Sequence, residues 1–264
     1  MKKLVYLLMS LSVVAFASCS DKEKTFPVYK SGTQDGHDYV YLGLPSGTKW
    51  ATCNVGATKP EDYGNSYAWG ETTTKETYDW SNYKYGSFDY DDYNYYVTKY
   101  CNNRYAGKDG FTDSKTTLDL SDDAAYVNWG GKWRMPTKEQ QDELRNQCYW
   151  IWTNSYNNSG VEGYIVYKAK NSDDKGRHTG SGCIPSSSSS YSLSDAHIFL
   201  PAAGENGHRG AGYAGYYWSS SLSTGIYAFG FISTQTGHVG SYDGSGIGYE
   251  RYHGQSVRAV IPGY

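Results

Sequence analysis

Aliphatic side chains are scarce in this chain. Only 38% of its 264 residues are hydrophobic even with aromatics counted, which is low for a length that builds one sizeable domain or two small ones. That shortage argues against a helical bundle, whose helices bury stripes of Leu, Ile and Val. A basic stripe is missing too. The net charge is −3 with both signs interspersed, so nothing is arranged to hold a phosphate backbone, and nucleic acid is excluded as a partner. No two cysteines have CxxC spacing, which argues against a structural metal knot. There is no Gly-x-Ser-x-Gly elbow, no His-Glu-x-x-His and no phosphate loop. No catalytic residue, cofactor or metal is therefore expected. Gly210 to Gly215 spells GxGxxG, but it precedes a strand-like stretch instead of joining a strand to a helix, so it reads as a turn. No repeat of fixed period is visible.

Rings fill the gap. Twenty-nine Tyr and eight Trp shift burial from aliphatic to aromatic side chains, which suits a twisted sheet with loops. Four cysteines follow residue 19: Cys53, Cys101, Cys148 and Cys183. In an oxidising compartment they form two disulfides by any of three pairings, or stay free.

The first residues read as a targeting segment. Lys2 and Lys3 precede an apolar run, Leu4 to Phe16, too short to span a bilayer comfortably, and Ala17-Ser18-Cys19 follows. This resembles a bacterial lipoprotein signal, which implies a signal peptide over residues 1–18 and lipidation of Cys19. More than one acyl chain anchors durably, so the membrane would be met through the lipid alone. Residues 19–36 read as a flexible tether. Its Ser20-Asp21 start resembles surface-export signals of outer-membrane lipoproteins, which implies a cell-surface location.

Residues 37–264 read as one domain. Asp38 to Leu42 and Lys49 to Val55 alternate as strands around the turn Gly43 to Gly47, a hairpin. Tyr78 to Tyr105 is a long tyrosine-rich loop, either functional or wrapped on the body; Asp89, Asp91 and Asp92 within it lack the ligand order of a calcium loop. Ser121 is positioned to cap a short helix ended by Gly130. Thr137 and Gln140 have capping-box spacing for a second helix, on which Leu144 and Cys148 share a stripe. Gly163 to Ala169 and His197 to Pro201 read as strands. Asn171 to Ser194 is a polar excursion. Gly215 to Ser219, Tyr227 to Ser233 and Ser256 to Ile261 complete a sheet, giving an α+β domain whose ends can pair.

From Gly212 to Ile261 aromatic residues are scattered among Gly, Ser, Thr and His. Such a composition is not expected to build a core of its own and is expected to lie on one built elsewhere. Tyr gives contact area at low rotamer cost, and Ser and Gly give adaptable polar contacts, as in binding loops. The candidate ligand-binding residues are Tyr227, His238, Tyr242, Asp243, Tyr249, Glu250, Tyr252 and His253. The plainer reading of the stretch is a Gly-rich meander of short strands. Trp218, Trp133 and Arg134 are assigned to structure.

Five clusters in fixed order carry a resemblance: Gly43-Leu44-Pro45-Ser46-Gly47 with Trp50-Ala51-Thr52-Cys53; Tyr67-Ala68-Trp69-Gly70-Glu71; Asn128-Trp129-Gly130-Gly131-Lys132-Trp133-Arg134-Met135-Pro136-Thr137; Tyr217-Trp218-Ser219; and Gly254-Gln255-Ser256-Val257-Arg258. Together they resemble the major paralogous domain first named in Fibrobacter (FISUMP). The resemblance implies a C-type lectin-like fold: a twisted antiparallel sheet joining the chain ends, two flanking helices, long irregular loops and a C-terminal ligand face. The calcium-binding triplets of sugar-binding lectins are absent. So is the C-terminal cysteine pair of the related formylglycine-generating enzymes.

The function expected is non-catalytic binding of a protein or glycan at the cell surface, as an adhesin or receptor. The alternatives are a structural subunit of a surface or pilus assembly, and an envelope enzyme revealed by paired carboxylates or a reactive thiol in a pocket.

Overall fold

The computed structural model describes residues 26–183, 187–240 and 248–263. The expected signal and Cys19, and the candidates Tyr242 and Asp243, lie outside these residues. The body is mixed α+β, mostly antiparallel, with sheets where the sequence suggested one. The chain ends meet in the first sheet, in the order Gly32–Gln34, His37–Tyr41, Lys49–Ala51 and Val260–Ile261. Val260 lies opposite Trp50, and Val40 opposite Trp50 from the other side, so three buried apolar positions align across the sheet. Gly32–Gln34 corrects the expected tether. Its last residues pair with His37–Tyr41 around Asp35-Gly36, both at positive φ, as a tight hairpin requires.

A second sheet runs His197–Pro201, Gly163–Lys168, Cys148–Thr153 and Arg177–Thr179. Two expectations are corrected there. The helix Lys138–Gln147 stops before Cys148, which opens the strand Cys148–Thr153; the run Tyr-Trp-Ile-Trp-Thr favours extended backbone. The polar excursion Asn171 to Ser194 contributes Arg177–Thr179, paired parallel with residues 149–151.

The third sheet orders Val239–Gly240, Tyr227–Thr234, Ala214–Leu222, Gln255–Ser256 and Ser66–Tyr67, with Tyr249–Glu250 also on Tyr227–Thr234. Gly210 to Tyr213 form turns leading into Ala214–Leu222. The loop Tyr78 to Tyr105 contains a hairpin of its own, Gly86–Asp89 against Asn94–Val97.

Helix α1, Ala124–Trp129, is capped by Asp123 rather than Ser121, and Gly130 ends it at φ 71°. Helix α2, Lys138–Gln147, carries the expected capping box between Thr137 and Gln140. It lies against the third sheet, where the Gln141 amide donates to the carbonyls of Tyr217 (3.2 Å) and Trp218 (3.0 Å).

The expectation that Gly212 to Ile261 rests on a core built elsewhere is overturned. Ala214, Trp218, Leu222, Ile232, Tyr249, Val257 and Ala259 belong to the main buried cluster with Trp69 and Trp133, while Tyr217, Phe231 and Val260 join a second one with Trp50 and Trp150. Rings do the burying, and two of the largest find acceptors for their polar tips: Tyr217 Oη donates to the Pro201 carbonyl (2.8 Å) and Trp218 Nε1 to that of Tyr67 (2.8 Å). Between the short strands Gln255–Ser256 and Val260–Ile261, Arg258 is buried. It donates to Asn54 Oδ1 (2.9 Å) and to the carbonyls of Ala51, Thr52 and Phe199 (2.9–3.1 Å), tying the first sheet to the second. The cysteines form no disulfide among the described residues.

Candidate functional site

Residues 249–253 fold back on the start of the strand Tyr227–Thr234. Tyr227 lies opposite Glu250 and Ala228 opposite Tyr249. Alternation along Ala214–Leu222 turns Tyr217 into the cluster with Trp50 and Trp150, and Tyr216 to the opposite face, where it packs against the main cluster beside Trp218. Tyr216 and Tyr249 meet edge to face at 5.8 Å. Tyr249 is itself backed by Trp218 at 5.9 Å. Tyr216, Tyr227, Tyr249, Glu205, Glu250 and His253 line a hollow of about 440 Å³, a size typical of small-ligand sites.

Glu205 arrives from a separate turn. Its N–H and that of Arg209 exchange hydrogen bonds with each other's carbonyls (3.0 and 2.7 Å), closing a turn through Asn206 and Gly207, both at positive φ. Asn206 then staples this turn to the next one, its N–H donating to the Gly254 carbonyl and its Oδ1 accepting from the Gly254 N–H, each at 2.6 Å. The staple sets His253 between two carboxylates, with Nδ1 3.2 Å from Glu205 and Nε2 3.9 Å from Glu250. Asn206 Nδ2 also reaches Nδ1, at 3.3 Å. An imidazolium suits the carboxylates, whereas a neutral ring bare at Nδ1 accepts from the amide.

Tyr252 stacks on His253 at 4.4 Å, with Trp80 5.2 Å away on the ring contacts of its own. Burial, and then the neighbouring Glu250 carboxylate, push its phenol up to about 12. It is therefore a neutral donor and ring support at physiological pH.

Of the sequence-derived candidates, Tyr227, Tyr249, Glu250 and His253 line this hollow. Tyr249 is buried, so it gives the hollow little of its own surface. Tyr252 stands behind His253. His238 does not line this hollow: the strand Tyr227–Thr234 carries the chain about 24 Å from Tyr227 before the turn that holds it. There its N–H donates to Thr234 Oγ1 (3.3 Å). Glu205 and Tyr216 were missed. The turn signature Gly204-Glu205-Asn206-Gly207 places Glu205 in a turn, but only the fold brings it to His253.

A second hollow, about 320 Å³, is lined by His37, Asp38, Cys53 and Trp129 among others. His37 is stacked on Trp129 at 3.8 Å. Burial pushes the Cys53 thiol up, the opposite of what a nucleophilic cysteine needs. In the acidic loop Asp89 is taken by Lys108 and by the Asp91 N–H (2.9 Å), and Asp92 by the Tyr96 hydroxyl. Among the described residues no group of three or more His, Cys, Asp or Glu is placed to hold a metal ion. No family model, curated protein or solved structure matches the chain.

Proposed function

We propose that this chain is a non-catalytic, lipid-anchored surface protein that binds a glycan in the hollow between Tyr216, Tyr227 and His253. The observation that carries the reading is the pairing of aromatic walls with fixed carboxylates in one concave site. Sugar rings present apolar C–H faces, which stack on tyrosine, and hydroxyl rims, which donate to carboxylates. A concave site of this size fits a small polar ligand better than the broad flat surface of a protein partner. The fold is read as a branch of the C-type lectin-like class. The strand pairing of the chain ends, the two helices and a ligand hollow at the C-terminal turns support that assignment. The anchor rests on Lys2, Lys3, the run Leu4 to Phe16 and Cys19, and Cys19→Ala should release the protein from membranes.

The test is a glycan array probed with the wild type and with Tyr227→Ala and Glu205→Gln, alongside a surface-protein array. Wild-type binding to glycans that both variants lose, with their circular dichroism unchanged, is the expected result. Glycan binding that survives both substitutions, or binding to proteins alone, rejects the site.

One observation favours a second reading. Two carboxylates in one pocket are the apparatus of glycoside hydrolysis, so Glu205 and Glu250 make the bound glycan a candidate substrate. Both, however, are turned onto His253, which leaves less of either free to act as acid or base. Release of reducing ends from a bound glycan, lost in Glu250→Gln, would move the protein to this class.

A further inference from the structure

Charge in the hollow of the proposed site is one-sided. Its lining holds two carboxylates, Glu205 and Glu250, and no Lys or Arg. Arg251, next in sequence to Glu250, is turned into the body, where it donates to the carbonyls of Lys99 and Tyr100. Arg209, whose backbone closes the turn of Glu205, is not among the lining residues. His253 is the one basic group that lines the hollow. Even as an imidazolium it offsets only one of the two carboxylates, and its contact with Glu250 is the longer, at 3.9 Å. Glu205 meets it through Oε2, and among the described residues Glu205 Oε1 has no protein partner.

We infer that the hollow takes an amino sugar whose nitrogen is unacetylated and protonated, with the ammonium held by Glu205 and walled by the rings of Tyr216 and Tyr227. This rests on the glycan reading of the hollow and names the chemistry that the glycan must carry.

Several features select a cationic sugar. The ring faces of tyrosine carry the negative end of a quadrupole, which draws a cation as well as an apolar sugar face. The negative field also extends beyond the lining. Tyr252, stacked on His253, has its phenol pushed up by burial first and then by Glu250, Glu205 and Asp79, three carboxylates acting in one sense. The same charges disfavour an acidic glycan. A bare metal ion does not suit the site, because Glu205 and Glu250 meet opposite nitrogens of His253 and are held apart by its ring, whereas a metal needs its oxygens converged on one point. The hollow has room for about fifteen waters at liquid density, which suits a sugar together with its amine.

The carboxylate is preset. The two hydrogen bonds between Asn206 and Gly254 fix the turn of Glu205 against the turn of His253, so little ordering is left to the moment of binding. An ammonium on a sugar carbon offers three donors and a charge to such a carboxylate, while the C–H face of its ring stays free to lie on tyrosine. A hydroxyl at the same carbon offers one donor and no charge. An acetamide offers one donor, no charge and more bulk.

The experiment is titration calorimetry at about pH 6, where an amine of ordinary pKa is protonated. The probes are the disaccharides of glucosamine and of galactosamine, their N-acetylated forms, the parent glucose and galactose disaccharides, and a trilysine peptide. The better amino sugar should bind about ten- to a hundredfold more tightly than its acetylated and parent forms, and most of that preference should disappear in about 0.5 M salt. It should also bind more tightly than trilysine. Glu205→Gln should bring the amino sugar down to the affinity of its parent form with the melting temperature unchanged, and Tyr227→Ala should weaken all three forms. Equal affinity for the three forms, or an amino-sugar preference that survives both Glu205→Gln and Glu250→Gln, overturns the inference while leaving the glycan hollow standing. Trilysine bound more tightly than every sugar overturns both. Binding of no amino sugar overturns the inference, and the glycan array then decides the broader reading.

Discussion

Replacing Arg251 by Met tests how the tyrosine-rich loop is attached to the body. Arg251 is fully buried, and among the described residues no carboxylate pairs with it. Instead Nη1 donates to the Lys99 carbonyl (2.9 Å), and Nη2 to those of Tyr100 (2.8 Å) and Gly225, with the guanidinium 5.3 Å over the Trp69 ring. No backbone N–H among the described residues takes these three carbonyls. Methionine fills similar volume and removes the charge, so no uncompensated cation is left behind. What remains is three buried acceptors without a donor, each worth about 1–3 kcal/mol. Partial relaxation toward water offsets some of that, and the net loss should be about 3–5 kcal/mol. For a domain of this size the urea slope is about 3 kcal/mol per molar, so the midpoint should fall by about 1–1.7 M with the slope unchanged. Hydrogen exchange should show protection lost first around residues 99–111 and 225. A midpoint within about 0.3 M of wild type would refute the reasoning, because it would mean that these carbonyls find other donors at no cost.

His197 is buried, its Nδ1 donating to the Asp195 carbonyl (2.8 Å) and its Nε2 accepting from the Tyr156 hydroxyl (2.9 Å), a pattern only the neutral ring completes. Burial lowers its pKa, so below about pH 6.5 the unfolded chain binds the extra proton first, and stability should fall on acidification by up to about 1.4 kcal/mol per pH unit until the folded pKa is reached. His197→Gln should flatten that slope in urea titrations at pH 7 and 5, and an unchanged slope counts against the assignment. Asp122 is buried, accepts from Tyr100 Oη (2.6 Å), and takes Lys99 (2.5 Å) and Lys84 (3.1 Å). Asp122→Asn should cost about 2–4 kcal/mol by urea denaturation, and a loss under about 0.5 kcal/mol would show the cluster to be solvated. Gly204 sits at φ 70°, and a Cβ there would lie 2.3 Å from the Arg209 carbonyl oxygen. Gly204→Ala should therefore displace Glu205 and weaken glycan binding more than it lowers the melting temperature; equal binding would detach Glu205 from the site.

What could be read from the sequence was what neighbouring residues decide. The capping box of Thr137 and Gln140 acts within one helical turn, and the alternation of His37–Tyr41 and Val260–Ile261 marks strands wherever they pair. Cys148 misled because burial and backbone parted company. It joins Leu144 in one cluster, as a helical stripe demands, yet its own backbone is already extended. His238 and Glu205 misled in opposite directions for one reason. Sequence proximity put His238 with Tyr227, but an eight-residue strand separated them. Some 48 residues of sequence kept Glu205 from His253, but the Asn206–Gly254 staple joined them. Half of the candidate hollow was legible because its residues lie within one short return of chain. The other half comes from turns that only tertiary hydrogen bonds align.

Tyrosine accounts for the larger error, the assignment of Gly212 to Ile261 to a surface laid over another core. A composition poor in aliphatics fails to bury enough apolar area only if its rings face water. Here each ring has two ends with different demands: the body fills the core as Phe would, and the hydroxyl needs one acceptor. Tyr217 finds Pro201, Tyr83 finds Trp69 and Tyr164 finds Thr234, all backbone carbonyls. The backbone thus supplies the acceptors that make tyrosine a core residue. Tyr216 and Tyr227, on neighbouring strands, keep the same side chain for the hollow. The residue type does not distinguish the two uses. Position along the strand does: Tyr216 and Trp218 share one face of Ala214–Leu222, yet Trp218 is fully buried while Tyr216 lines the hollow at the edge of the same cluster.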